Sequence, residues 1–411
     1  MSFVRRAALR LGGFGSSVVI TGVVSLAVIP VIVHFAGDAA WASYAVGQTV
    51  GALLGVFVSL GWLQIGPALV ARADAPGRAR IYLESLLLRG GVLLVAAPVA
   101  AVVTGALVRE HVGAAVVSAL AAVLLASGGA WFFVGAASPT RLIIFDTLPR
   151  AAGIVLGAVG VASSGDVLWA AVGTLVGVAV AVGSSAAAVF RENGRPVAPT
   201  PADLRATLRR QWHGLGAGVF SAMYLSVPLL FVSYFLPAQT AAYALADRLK
   251  QQGMAVATPF GQTLQGWVPK ASDGHLAHRV RRCVWYAFVL GALGGMAYLL
   301  LGLPVSAVLG AGQVTLDFSL VTPVSIAFGL NIVTFVIGTA CLIPVGRVRS
   351  VFWSAVGGTL VVAPAMAVGG PLHGAPGIAW AAALSQLTVL VIQCVALAGY
   401  FRREGRASER D

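Results

Sequence analysis

Charge is scarce in this sequence. Asp, Glu, Lys and Arg make up 10% of its 411 residues, against 58% apolar residues. A soluble fold with so little polar matter has nothing with which to cover its surface, so the chain is read as an integral membrane protein. Acids are the scarcer sign, 14 against 27 Lys and Arg. Asp38, Glu110, Asp166 and Asp317 stand singly in short connections, which excludes a membrane glycosyltransferase or ligase that presents acids or a His on sizeable loops. A Gly-rich loop of Walker type is missing, and with it direct use of ATP. The three cysteines, Cys283, Cys341 and Cys394, are far apart in or beside predicted helices. They read as small apolar packing residues, with neither a disulfide framework nor a metal site, and no cofactor is expected. Lysine is almost absent, 2 residues against 25 Arg, which together with abundant Ala and Gly points to a GC-rich bacterial genome.

What the sequence does have is long apolar runs. A spanning helix needs about 20 apolar residues, and twelve such segments can be drawn: 11–35, 44–66, 86–108, 113–135, 147–162, 167–189, 215–236, 241–268, 284–303, 318–344, 350–370 and 377–401. The first follows Arg5, Arg6 and Arg10, as in a signal peptide, but is too long for a cleaved one and is expected to be retained. The fifth is short and begins beside Asp146 and Arg150. With this division all but three of the 27 cations fall on the side that holds both termini, Arg89 and Arg150 at the ends of spans on that side; the exceptions are Arg109, Arg248 and Lys250. Cations are retained in the cytoplasm, so both termini are expected there, in a bacterial plasma membrane. Dispersal over many segments fits anionic lipid headgroups and argues against nucleic acid as the partner of the +13 net charge.

A polar interruption at 191–213 separates residues 1–190 from 214–401, leaving a tail at 402–411. Pro196, Pro199 and Pro201 open it, and Thr200 and Asp203 suit a helix start. Leu204, Leu208 and Trp212 then alternate with Arg205, Arg209 and Arg210, the pattern of an amphipathic linker helix lying in the headgroup layer. The halves it joins repeat. Ala42-Ser43-Tyr44-Ala45 opens the second span and Ala241-Ala242-Tyr243-Ala244 the eighth; Trp169-Ala170-Ala171 and Trp380-Ala381-Ala382 mark the sixth and twelfth. An offset of six spans implies parallel repeats, with a transport path expected between them. Gly47, Gly51 and Gly55, like Gly291 and Gly295, are stripes for close helix packing. Pro30 and Pro228 lie in counterpart spans and are a candidate pair of hinges.

The eighth span carries Asp247, Arg248, Lys250, Gln251 and Gln252. Each charge at mid-bilayer costs about 2.5–3.5 kcal/mol, so the cluster is expected to face protein or water. Asp247 and Lys250 share a face and can pair at i, i+3, whereas Arg248 falls beside Gln251 and Gln252. Its forked guanidinium suits a phosphate. Arg248, Lys250, Gln252 and, from the third span, Arg89 form the candidate substrate-binding set, although Arg89 lies close enough to the cytoplasmic end to snorkel. Asp247 is the one acid placed well inside a span and the candidate coupling residue; His34 is a weaker one. The amides Gln64, Asn331, Gln386 and Gln393 are expected to bind neighbouring helices.

These features bring a resemblance into view. The turn from Pro30 through Gly37 to Tyr44, the Tyr-x-x-Ala-Asp-Arg-Leu run at 243–249 followed by Pro259 and Pro269, and the Gly-Ala-x-Gly-x-Ala pattern at 374–379 lie in two six-helix halves. Over nearly its whole length the chain resembles polysaccharide flippases of the multidrug/oligosaccharidyl-lipid/polysaccharide exporter superfamily, including O-antigen flippases and, more distantly, lipid II flippases. The resemblance implies an all-α, twelve-helix protein whose two six-helix lobes enclose a V-shaped, cationic cavity. It implies transport of a polyprenyl-diphosphate-linked glycan by alternating access, in company with a glycan polymerase or glycosyltransferases, and no enzymatic activity. Arg248 matches the arginine of the Ala-Asp-Arg-Leu motif that lines the cavity of lipid II flippases. Here the first and second spans lack cations, which argues against lipid II as the cargo. The rival readings are a cation-coupled multidrug exporter of the same superfamily, which should carry an acid within its first lobe, and a non-transporting scaffold of a glycan assembly complex.

Overall fold

The structure, a computed structural model, describes residues 3–194, 196, 198–268 and 276–408. Pro269, and the side chains of Arg5, Arg6, Arg10, Arg210 and Trp212, lie outside what is described. The described residues fold into helices without a strand, as backbone in hydrocarbon must when every N–H and C=O needs an internal partner. In order they are α1 (Phe3–Ala36), α2 (Asp38–Ser59), α3 (Trp62–Arg72), α4 (Ala75–Leu107), α5 (Val112–Leu125), α6 (Ala130–Gly135), α7 (Pro139–Leu142), α8 (Leu148–Ser164), α9 (Leu168–Asn193), α10 (Pro201–Phe235), α11 (Thr240–Trp267), α12 (Leu276–Leu309), α13 (Phe318–Val336) and α14 (Val348–Ser408). Among the described residues nine helical segments are long and apolar enough to cross a membrane. One of them, Val348–Arg402, is bent at Gly374 into two helices. Ala222–Phe235 within α10 is a shorter apolar stretch, and α11, 28 residues long, is not among the nine. This inventory is consistent with twelve crossings.

The chain divides into two compact units. Met1–Ala222 with Leu309–Gln313 forms one, and Met223–Val308 with Val314–Asp411 the other. The division falls inside α10, because the amphipathic segment and the seventh span are one continuous helix rather than a linker helix followed by a separate span.

In the first unit the glycine stripe performs the packing expected of it. A Cβ on Gly47 would run into the Ala115 carbonyl of α5, one on Gly51 into that of Ala119, and one on Gly55 would come 3.2 Å from Ala126 Cβ. Side-chain-free positions let α2 and α5 touch along their backbones, where no hydrophobic effect favours association. In the second unit Gly291 likewise packs on Gly329, and Gly295 approaches the Ser325 carbonyl, drawing α12 onto α13. The repeat seen in the sequence has matching environments. Tyr44 and Tyr243 are both buried, whereas Trp169 and Trp380 are 53% and 50% exposed.

Several segments depart from expectation. The fourth span is broken: α5 ends at Leu125 and α6 restarts at Ala130. The fifth is not short, since α7, a π-helical turn over Ile143–Thr147 and α8 form one segment, Pro139–Ser164, which takes Asp146 into its interior. A second π turn, Ile337–Leu342, continues α13. Cys283 and Cys341, distant in sequence, are hydrogen-bonded neighbours in one apolar cluster of α12 and that π turn, and both remain free thiols. Pro30 and Pro228 lie inside α1 and α10, each removing one ladder donor.

The start of α10 is tied down. Thr200 Oγ1 accepts from the Asp203 N–H at 3.2 Å while the Asp203 carboxylate accepts from the Thr200 N–H at 2.9 Å, a reciprocal helix cap. Asp203 also pairs with Arg80 of α4 at 2.9 Å, and Thr207 Oγ1 donates to Glu84 at 3.0 Å. The Thr200 backbone N–H and hydroxyl, followed by Arg80, hold the Asp203 carboxyl below its ordinary value.

Candidate functional site

The polar turn of α11 begins after Ala241, Ala242, Ala244, Leu245 and Ala246, good helix formers that carry the helix into a charged stretch. Asp247 is buried, and Lys250 Nζ lies 2.5 Å from its Oδ1. The expected i, i+3 pair is thus formed. Gln251, placed by the helical wheel beside Arg248, instead donates its amide N–H to Asp247 Oδ2 at 2.7 Å. Both carboxylate oxygens are therefore occupied. Arg248 and Gln252 are half-buried. Two cations against one acid leave the turn with one excess positive charge.

The peptide that precedes the turn is held from α12. Tyr298, 7% exposed, donates its hydroxyl to the Ala246 carbonyl at 2.8 Å. Upstream of α11, Gln239 Oε1 accepts from the Ala375 N–H at 2.6 Å, beside the break at Gly374 where φ is +62°. A side chain there would be strained and would also meet the Gln239 amide, so glycine is required twice over. None of this second-unit scaffolding follows from periodicity; the Gly-Ala-x-Gly-x-Ala pattern marks only its position.

Arg89 is elsewhere and has another task. It is 1% exposed in the first unit, so it does not snorkel. Its Nη1 donates to the carbonyls of Ala126 and Gly128, both at 3.0 Å, its Nε to that of Ser85 at 3.4 Å, and the guanidinium lies 5.7 Å from the centre of the Trp131 ring. A cation at the carbonyl end of α5 caps the broken fourth span and complements the helix dipole. The expectation that Arg89 binds substrate is corrected accordingly: the buried guanidinium holds, through Nη1, the carbonyls that the helix break leaves without partners, while its Nη2 makes no hydrogen bond among the described residues.

A second correction concerns acids. The sequence places a single acid, Asp247, well inside a span, yet Asp146 in the first unit is 3% exposed, with Arg150 Nη1 at 3.0 Å from its Oδ2. Its π-helical turn, which periodicity does not signal, turns an end-of-helix residue into an interior one. His34 is exposed at the end of α1. Asn331, Gln386 and Gln393 are buried, and Gln386 and Gln393 reach Thr334 and Ser354 at 3.4 Å, so these two amides bridge helices as expected; Gln64 does not follow that expectation and is exposed on α3.

Beside the charged turn lies a feature that sequence reasoning missed. An open groove of about 410 Å³ runs between α11, α12 and α13, lined almost wholly by carbon from Leu249 to Phe260, Leu290 to Val305, and Phe328 with Ile332. The signal was present: Leu249, Gly253, Val256 and Phe260 recur at helical spacing.

No family model and no curated protein matches the sequence. Solved structures do match over nearly the whole chain. An inward-facing multidrug resistance MATE family transporter of the MOP superfamily superposes with a TM-score of 0.68 at 14% identity, covering 93% of this chain and 99% of that one. The lipid II flippase MurJ in an inward closed conformation gives 0.69 at 10% identity, covering 94% and 87%. The fold is that of the MOP-superfamily transporters. A third member of that group, a transporter from Pyrococcus furiosus described as having a binding pocket of reversed polarity, gives 0.55 at 14% identity, covering 93% and 95%. The chain is thus a multi-pass membrane protein of transporter fold.

Proposed function

We propose that this protein is a flippase that carries a polyprenyl-diphosphate-linked oligosaccharide across the bacterial plasma membrane by alternating access, for cell-surface polysaccharide synthesis. The observation that carries this reading is the turn of α11, where a buried Asp247–Lys250 pair stands beside Arg248 in the first half of the helix. The turn carries two cations and one acid, and the guanidinium fork of Arg248 matches a diphosphate. Pro30 and Pro228 serve as hinges, both termini are cytoplasmic, and anionic lipids neutralise the cytoplasmic cations. Glycan polymerases or glycosyltransferases are the natural partners. A diphosphate moving outward from a negative interior gains about 2.3 kcal/mol per charge per 100 mV.

The test compares flipping in vesicles with an imposed potential and with an imposed pH gradient. Acceleration by potential, abolished in Arg248→Ala at normal protein abundance, is expected; unimpaired glycan export by that variant would defeat the reading.

One observation favours a cation-coupled multidrug exporter instead. The first unit does hold a buried acid, Asp146. In that case Asp146→Asn abolishes proton- or sodium-driven drug efflux and Arg248→Ala does not; under the flippase reading the pattern is reversed. Arg150 at 3.0 Å already neutralises Asp146, and for that reason the flippase reading is preferred.

A further inference from the structure

The break between α5 and α6 gathers buried donors that the fold leaves unused. We propose that a single halide ion binds in the first unit at this break, held by Arg89, Ser85, Ser127 and Tyr82. The inference concerns a resident ion rather than the cargo, and it stands apart from the flippase reading.

The donors surround one turn. Tyr82, Ser85 and Arg89 stand at i, i+3 and i+7 on a single face of α4. Arg89 Nη1 grips the carbonyls of Ala126 and Gly128, so Ser127 lies between its two anchors. Gly129 follows, and a Cβ there would come 2.9 Å from the Tyr82 hydroxyl. Trp131 closes the group: its ring stacks with that of Tyr82 at 6.0 Å and has the Arg89 guanidinium 5.7 Å from its centre. Tyr82 and Ser85 are 0% exposed, Arg89 1% and Ser127 5%. Yet Arg89 Nη2 and the hydroxyls of Tyr82, Ser85 and Ser127 have no hydrogen-bond partner among the described residues. Each such atom is costly to bury, and four of them around one turn call for a shared guest.

Charge decides what that guest is. Among the described residues no ion pair includes Arg89. Asp146 is buried beside the same turn, its Oδ1 3.6 Å from a Cβ placed on Gly128, but Arg150 already binds its Oδ2 at 3.0 Å. Two arginines therefore meet one carboxylate. The carbonyl end of α5 offsets roughly half of the remaining charge. Water would satisfy the donors and neutralise nothing, whereas an anion does both. Arg89 Nη2 can only donate, and the three hydroxyls can rotate to donate with it. Packing sets the size. A Cβ on Gly129 would also come 2.8 Å from Ser185 Cβ, and so tight a turn suits a monatomic ion rather than a phosphate or a carboxylate.

The experiment uses the full chain in detergent micelles, in mixtures of sodium chloride and sodium gluconate at constant ionic strength. The thermal unfolding midpoint is expected to rise with the logarithm of chloride concentration, because an ion that binds only the folded state stabilises it by mass action. Ser85→Ala combined with Ser127→Ala is expected to raise the half-saturating chloride concentration about tenfold. In gluconate alone that variant should melt no lower than wild type, since it has shed two unpaired hydroxyls. Tyr82→Phe deletes one hydroxyl and should raise the half-saturating concentration about fivefold, a second test should the double variant fail to fold. Crystals grown in bromide are expected to show an anomalous bromine peak in contact with Arg89 Nη2. Equal midpoints in chloride and gluconate overturn the proposal, water then being the guest. A halide response that the folded variants keep in full, or a bromine peak found only elsewhere, overturns it as well.

Discussion

Lys250 Nζ and Asp247 Oδ1 stand 2.5 Å apart on neighbouring turns of α11, with the two side chains 13% and 6% exposed. Neither partner can be removed without stranding the other away from water. Lys250→Met and Asp247→Asn are each expected to lower stability by about 3 kcal/mol. The double variant should lose clearly less than the sum, because it leaves no isolated charge. Unfolding of the four proteins in one detergent measures the coupling; simple additivity would mean that the pair is solvated.

Arg89 and Arg248 separate by phenotype. Arg89→Ala removes the cap of the broken fourth span and should cost about 3 kcal/mol. Arg89→Lys does not rescue it, since one ammonium cannot span the Ala126, Gly128 and Ser85 carbonyls and lie on Trp131. Arg248→Gln, half-buried in the second unit, is expected to keep the wild-type melting temperature and lose anionic-lipid binding. Thermal unfolding and lipid binding on the same preparations give the comparison; intact stability in Arg89→Ala would refute the cap.

Glycine positions should divide sharply. Gly51→Val drives a side chain into the Ala119 carbonyl, and the protein is expected to fail to accumulate in the membrane. Gly183 has nothing within 4 Å of the added Cβ, so Gly183→Ala should stabilise by about 0.5–1 kcal/mol through helix propensity alone. Quantitative immunoblotting and thermal melts distinguish the two.

The clasp at the start of α10 has a signed pH dependence. The Asp203 carboxyl is held low by the Thr200 N–H and hydroxyl and by Arg80. Its contribution is therefore complete above the ordinary carboxylate value of about 4 and lost as pH falls through the lower, folded value. A spin-label pair between α4 and the first turn of α10 should report close approach at neutral pH and separation in acid. Asp203→Asn should separate them at neutral pH.

Much of this architecture is legible because lipid enforces simple rules. Apolar length marks the crossings, and the Gly47–Gly51–Gly55 stripe marks a face for close helix packing, although only the structure names α5 as its partner. The Asp247–Lys250 pair follows from helical spacing alone. What stays hidden depends on interruptions of the helix. The stop at Leu125, the π turn that takes Asp146 inward and the positive φ at Gly374 leave no periodic trace, so the role of Arg89, the burial of Asp146 and the Gln239 contact were all misplaced or unseen. The apolar groove was missed for a different reason: three helices make it, and each shows only an ordinary apolar face.

The hydroxyl of Tyr298 belongs to a helix that walls the groove, and the carbonyl it grips belongs to the residue before Asp247. Anything that wedges α12 outward must tug that peptide unit and, one residue on, the carboxylate that restrains Lys250. The apolar half of the second unit and its ionic half are thus joined by a single hydrogen bond.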